Sequence, residues 1–169
     1  MLYRVYARRL WRAIEGEGIR PRHLAMIIDG NRRWARQLGL QDAAAGHRAG
    51  AAKMIEFLNW CDRAGIGTVT LYLLSRDNLT SRAGDELAQL QGIIAGLARQ
   101  IVENERWRVQ HVGSVEALAP ELAGALVEAE ASSLRRRGMH VNLAVGYGGR
   151  SEIVDAMRAI VHRHAADGG

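Results

Sequence analysis

The chain has 169 residues, 48% of them hydrophobic and 24% charged, which suits one folded domain with a sizeable core and excludes a disordered polymer. No run of eighteen apolar residues is present, so no transmembrane helix is expected, and the first residues lack the apolar segment of a secretory signal. The formal charge of +5 comes from arginine, since Lys53 is the only lysine, and the single Cys61 excludes an intrachain disulfide and points to a cytoplasmic protein with a buried thiol. A basic surface attracts nucleic acid, anionic lipid and phosphorylated small molecules alike, so charge does not choose among them.

Residues 1–20 read as an N-terminal amphipathic helix and its exit, ahead of an α/β domain over 21–169. Leu2, Tyr6, Leu10 and Trp11 share one side, and Arg4, Arg8, Arg9 and Arg12 occupy the rest. Such a helix lies on an anionic membrane surface or packs on its own domain. Gly16 and Gly18 end it. Leu24 to Ile28 is short, apolar and β-branched enough to be a buried strand. Asp29-Gly30-Asn31 breaks that strand, and Arg32, Arg33, Trp34, Ala35, Arg36 and Leu38 form the first turns of a helix.

Gln41 to Ala45 reads as a small-residue linker, and Gly46-His47 as the opening of a helix running to about Ala64. Thr68 to Leu74 is a nearly apolar strand, expected to be buried on both faces, ending in the polar cluster Ser75-Arg76-Asp77-Asn78. A helix follows from about Gly84 to Asn104, then a strand over Arg108–Val112. Pro120 opens a helix to about Arg137, with Arg135-Arg136-Arg137 at its C-terminus. His140–Val145 is a strand, Gly146 to Arg150 a turn, and Ser151 to about His164 a last helix. Strand and helix alternate four times, which predicts a parallel sheet with helices on both faces.

In such sheets ligands sit beyond the carboxyl ends of the strands, where Asp29-Gly30-Asn31, Ser75 to Asn78 and Gly146 to Arg150 all fall. A carboxylate beside a helix N-terminus and guanidinium groups suits a phosphorylated ligand, with Asp29 able to hold a divalent metal against it. The plain alternative is a solvated basic helix after an ordinary turn. Gly146-Tyr147-Gly148-Gly149 fails the dinucleotide fingerprint in spacing and position, which leaves a structural turn with Arg150 as a helper. His47 either binds phosphate or caps its helix. His111 and His140 read as satisfied strand histidines and His162 and His164 as solvated ones, with no zinc spacing and no nucleophile elbow anywhere.

HLAMIIDGNRRWAR, GHRAGAAKM, TLYLLSRDN and VNLAVGYGGRSEIVDAMR together resemble, in order and spacing, the motifs of the cis-prenyltransferases, the undecaprenyl diphosphate synthase family. The likeness runs from about Pro21 to the end and is strongest toward short-chain actinobacterial members that make Z-farnesyl diphosphate. It implies a parallel α/β fold and condensation of isopentenyl diphosphate with an allylic diphosphate. Magnesium would be the cofactor, and the protein a homodimer at full length with peripheral membrane contact and no nucleic acid. By motif, Asp29 organises magnesium and diphosphate, while Gly30, Asn31, Arg32 and Arg33 cradle the allylic diphosphate with Trp34 nearby. His47, Ser75 and Asn78 match positions tied to substrate binding and proton transfer, with Arg76 and Asp77 in the same cluster. Long-chain members resemble one another in carrying alanine where Leu73 stands, which implies a short product, Z,E-farnesyl diphosphate.

The pattern is broken at Asp42, where the family usually carries arginine, and at Leu79, Ser81 and Arg82. The resemblance also implies that an arginine-rich segment with a glutamate, serving isopentenyl diphosphate and the dimer, follows HAADGG, so that these 169 residues correspond to an N-terminal portion deficient in condensation by itself. Readings from other classes are a non-catalytic prenyltransferase-like subunit and a basic nucleic-acid-binding α/β domain. Asp29 argues against the first. The second lacks the aromatic and basic strand pattern of an RNA-binding sheet.

Overall fold

The structure, a computed structural model, describes residues 5, 6, 8–10, 12, 21–40, 42–81 and 84–166. Four strands form one fully parallel sheet in the order β1-β2-β4-β3: β1 His23–Ile27, β2 Thr68–Ser75, β3 Arg108–Val112 and β4 His140–Tyr147. The helices are α1 Asn31–Gln37, α2 Ala43–Arg63, α3 Arg76–Ser81, α4 Gly84–Val102, α5 Pro120–Ser133 and α6 Gly149–Ala166. Every long crossover is helical, as parallel pairing requires. Of the expected N-terminal helix, Val5, Tyr6, Arg8, Arg9, Leu10 and Arg12 are helical and exposed; the rest, with Gly16 and Gly18, lies outside the described residues.

Register explains where the core sits. Leu24, Val69, Val141 and Val109 stand side by side across the sheet, followed by Met26, Leu71 and Leu143. Strand side chains alternate, so these share one face. That face joins Met54, Leu58 and Cys61 of α2, Ile94, Leu97 and Ile101 of α4, and Leu122 and Leu126 of α5 in one hydrophobic cluster. Burial pushes the Cys61 thiol pKa up, so this group stays a packed thiol.

The intervening rows, His23–Thr68–His140–Arg108 and Ala25–Thr70–Asn142–Gln110, make the opposite face polar. Thr70 Oγ1 lies 2.8 Å from His23 Nε2 and accepts from Asn142 Nδ2 at 3.1 Å. The expectation of helices on both faces is therefore corrected among the described residues: α2, α4 and α5 all serve the apolar face. β1 is likewise an edge strand and not a buried one, with Ile27 74% exposed.

Three boundaries also move. Residues 42–45 are not a linker, because the Asp42 carboxylate accepts from Ala44 N–H at 2.9 Å and caps α2, which starts at Ala43. β2 runs one residue further than Leu74, to Ser75, whose Oγ accepts from Asn78 N–H at 3.1 Å and opens α3. α5 ends at Ser133 and not at Arg137. Arg136 instead crosses to the end of α4 and the segment after it, donating from Nη1 to the carbonyls of Val102, Asn104 and Trp107 at 2.9–3.2 Å.

Candidate functional site

The site is built from the turn between β1 and α1. Gly30 has φ +90°, a left-handed conformation in which a β-carbon is strained. Its N–H donates to Asp29 Oδ1 at 2.6 Å, and its carbonyl accepts from Trp34 N–H at 2.8 Å to start α1. The turn thus aims the Asp29 carboxylate and the first helical turn into the same space. Arg33 lies over Gly30, close enough that an added β-carbon would come within 3.2 Å of its Nη2. α1 has only seven residues, so its arginines supply more of the positive field than a helix dipole can.

Three cavities meet there. A polar one of about 230 Å³ is lined by Asp29, Gly30, Arg32, Arg33, Arg36 and His47. A more apolar one of about 450 Å³ runs along β1 and α2, with Met26, Ile27, Trp34 and Met54 on its walls and Lys53 at its rim. A narrow one of about 60 Å³ penetrates toward the core between Leu73, Leu90, Ile94 and Leu97. Ile28 and Asn31 line all three. One cleft therefore offers a cationic mouth beside apolar walls, the pattern that an amphiphilic anion requires.

His47 lies within α2, 8% exposed, and Asp42 rather than His47 caps that helix. Its Nε2 is 3.5 Å from Glu86 Oε1, while Glu86 Oε2 is 3.7 Å from Arg32 Nη1. Glu86 thus ties α4 to both α1 and α2 at the mouth. Sequence reasoning passed over it, because an acidic residue in a first helical turn is commonplace and signals nothing about a site.

The sequence-predicted residues divide into two groups. Asp29, Gly30, Asn31, Arg32, Arg33, Trp34 and His47 line connected cavities. Ser75, Arg76, Asp77 and Asn78 do not reach those cavities. Ser75 caps α3, Asp77 is exposed with its carbonyl accepting from Thr80, and Arg76 pairs with Asp155 at 3.4 Å. Arg76 borders a separate cleft of about 180 Å³ with Ser114, Tyr147 and Glu152. A hydrogen bond to Glu152, then its charge and the nearby Tyr72, push the Tyr147 phenol pKa up. Gly146 sits at the end of β4 with φ +66°, and a β-carbon there would strike the Ser114 carbonyl, so close backbone approach accounts for this glycine. Arg150 is exposed at the start of α6.

β2 carries a bulge between Tyr72 and Leu74 that breaks simple alternation. Tyr72 and Leu73 both line the narrow cavity, although successive strand side chains ordinarily point to opposite faces. Leu74 turns into the core cluster.

Known proteins resemble this chain in sequence and in fold. The sequence model of the undecaprenyl diphosphate synthase family, Prenyltransf, matches residues 27–168. An isoprenyl transferase of Streptomyces avermitilis is 47% identical over 161 residues, covering 95% of this chain and 62% of the relative. A (2Z,6E)-farnesyl diphosphate synthase of Thermobifida fusca is 48% identical over 167 residues, covering 99% and 65%. A solved structure of lavandulyl diphosphate synthase from Lavandula x intermedia, in complex with dimethylallyl diphosphate, superposes with a TM-score of 0.82 at 32% identity, over 87% of this chain and 64% of that one. The chain thus spans under two thirds of the length of the relatives it matches. On the match over most of its length and on this level of identity, the chain belongs to the undecaprenyl diphosphate synthase family of cis-prenyltransferases.

Proposed function

We propose that the protein condenses isopentenyl diphosphate with an allylic diphosphate to give a short cis-prenyl diphosphate. The observation that carries this reading is the junction of the arginine-lined cavity at Asp29 with the apolar cavities beside it. Arg32, Arg33 and Arg36 hold the allylic diphosphate, guanidinium groups matching phosphate oxygens in forks. The tail lies along Met26, Trp34 and Met54 and points toward Leu73. His47, held beside Glu86, donates to the diphosphate. The allylic carbon–oxygen bond breaks as diphosphate leaves, isopentenyl diphosphate forms the new carbon–carbon bond, and loss of a proton leaves a cis double bond. Ser75, Arg76, Asp77 and Asn78 enter this reading on the family resemblance alone, since their turn opens on a neighbouring cleft.

The donor set suits magnesium. Among the described residues no three His, Cys, Asp or Glu side chains converge as a protein cage. Magnesium commonly takes one or two carboxylates together with substrate phosphates, which is what Asp29 and a diphosphate would provide. Bound there, the ion would neutralise charge developing on the departing diphosphate. The binding test is calorimetric titration with geranyl thiolodiphosphate, an unreactive allylic analogue, with and without magnesium. Magnesium-dependent binding is expected, and no binding under either condition overturns the reading.

Product length rests on Leu73, which narrows the inner cavity together with Leu90, Ile94 and Leu97. Extra volume in a packed site costs about 1–3 kcal/mol, enough to bias termination by roughly tenfold or more. The expected product is fifteen-carbon Z,E-farnesyl diphosphate, and Leu73→Ala should lengthen it. Chromatography of products from labelled isopentenyl diphosphate decides this, and an active variant with unchanged products removes Leu73 from the account. The same reading includes a homodimer, supported by the uncovered Ile153, Met157, Ile160 and Val161 on α6, and peripheral membrane contact, supported by exposed Val5, Tyr6 and Leu10 among arginines. Sedimentation velocity tests the dimer, and flotation with anionic vesicles tests the contact.

A further inference from the structure

Asn31 is the polar residue common to all three cavities, and α2 presents it with two glycines one helical turn apart. A β-carbon at Gly46 would stand inside van der Waals distance of the Asn31 carbonyl oxygen, 2.9 Å from its carbonyl carbon and 3.2 Å from Ala35 Cβ. A β-carbon at Gly50 would stand 2.8 Å from both Asn31 Nδ2 and Asn31 Oδ1. Gly92, Gly96 and Gly124, on α4 and α5, would meet nothing within 4 Å, so among the glycines of the described helices such close approach belongs to this pair. Glycine inside a helix costs about 0.5–1 kcal/mol relative to alanine, which makes two within one turn of α2 a stability sacrifice that needs a reason.

We infer that Gly46 and Gly50 are positioning residues that form a seat for Asn31, Gly46 setting the depth of its backbone and Gly50 the orientation of its amide toward the diphosphate. The inference rests on the proposed function and extends it to two residues that touch no substrate themselves. The two seats differ in what must yield. At Gly50 the obstacle is the end of a short side chain, which rotates away while the fold stays intact. At Gly46 the obstacle is backbone, so the first turn of α1 and the Asp29 turn must shift together.

A double-mutant cycle tests this, with magnesium and geranyl thiolodiphosphate as the probe, calorimetry for affinity and thermal unfolding for the fold. Gly50→Ala should keep or raise the melting temperature, through improved helix propensity, yet weaken binding by roughly tenfold or more, as expected when a binding group is misplaced by about 1 Å. In an Asn31→Ala background no amide remains to displace, so adding Gly50→Ala should change affinity less than about twofold. Gly46→Ala should weaken binding in both backgrounds, because its obstacle is the carbonyl that every residue carries. A Gly50→Ala protein that binds as tightly as wild type overturns the seat, as does an equal loss from Gly50→Ala with and without the Asn31 amide. A wild-type protein that binds no analogue overturns the proposed function instead. Thermal unfolding in that case still reads the seat, since Gly46→Ala must destabilise while Gly50→Ala must not.

Discussion

β1 and β3 are both edge strands of one sheet, yet they are finished in opposite ways. At β3 the edge is covered, with only Gln110 of its five residues exposed. Val109 N–H donates to the fully buried Ser133 hydroxyl at 2.9 Å, and that hydroxyl donates to the Ala129 carbonyl at 2.7 Å. Trp107, Leu122 and Leu126 fill the space between β3, α4 and α5, and Gln91 Oε1 accepts from Ala119 N–H at 2.6 Å to hold the start of α5. At β1 the alternate residues Ala25 and Ile27 are exposed, α1 is short, and connected cavities lie where a core would otherwise close. Stability is concentrated at one edge and open volume at the other. A site for an anion with an apolar tail needs unfilled space and unneutralised cations, and both weaken packing, so separating the two regions lets the open edge exist on a closed core.

The sharpest way to separate the edges is to strike each at its centre. Asp29→Ala removes an exposed carboxylate and no core volume, so the melting temperature should stay within a few degrees while prenyl transfer falls roughly 10²–10³-fold. Product extraction with labelled isopentenyl diphosphate and calorimetric titration of the allylic analogue with magnesium measure the loss. A folded variant with near-normal turnover would show that the open edge is not the site.

Leu126→Ala strikes the closed edge. Emptying that buried volume should cost about 2–5 kcal/mol, and the melting temperature should fall by roughly 5–15 °C. Affinity for the allylic analogue at a temperature where the variant is folded should remain close to wild type. A matching loss of affinity would mean that the two edges are coupled and not separable.

Asp42 gives the smallest effect, at the boundary between the regions. Its carboxyl pKa is held below the usual value of 3.8, first by the Ala44 N–H and then by Arg48, whose Nη2 donates to Oδ2 at 2.9 Å. A carboxyl with a lowered folded pKa contributes stability above its unfolded pKa, and that contribution disappears as pH falls through the folded value. The gap in melting temperature between wild type and Asp42→Ala should therefore be present at neutral pH and close in strong acid. A gap that is constant across that range would show that the cap does not act through its charge.

Parallel alternation, the four strands and nearly all the helical cores were legible in the sequence, because apolar spacing reports local burial wherever one face of an element is covered. The four motifs in order were enough to identify the family. What misled were features that depend on remote partners. Leu24 to Ile28 is as apolar as a central strand, and nothing local states that no fifth strand flanks it among the described residues. Gln41 to Ala45 is small and polar enough for a linker, yet Asp42 has only to meet the Ala44 N–H to make it a helix start. Arg136 looked like a helix-end cation, while its three acceptor carbonyls come from residues about thirty positions earlier.

The candidate site divides along the same line. Chemistry-bearing residues within one turn, Asp29 through Trp34, were readable because a strand–turn–helix places neighbours in sequence as neighbours in space. Ser75 to Asn78 could be placed at a strand's carboxyl end but not into a particular cleft, since that depends on strand order and on the bulge at Leu73. Glu86 beside His47, and Gly46 and Gly50 beneath Asn31, belong to tertiary structure alone. Period and composition act over a few residues and determine which elements form. The fit of one helix against the backbone of another is set by distances that exist only after the sheet has assembled.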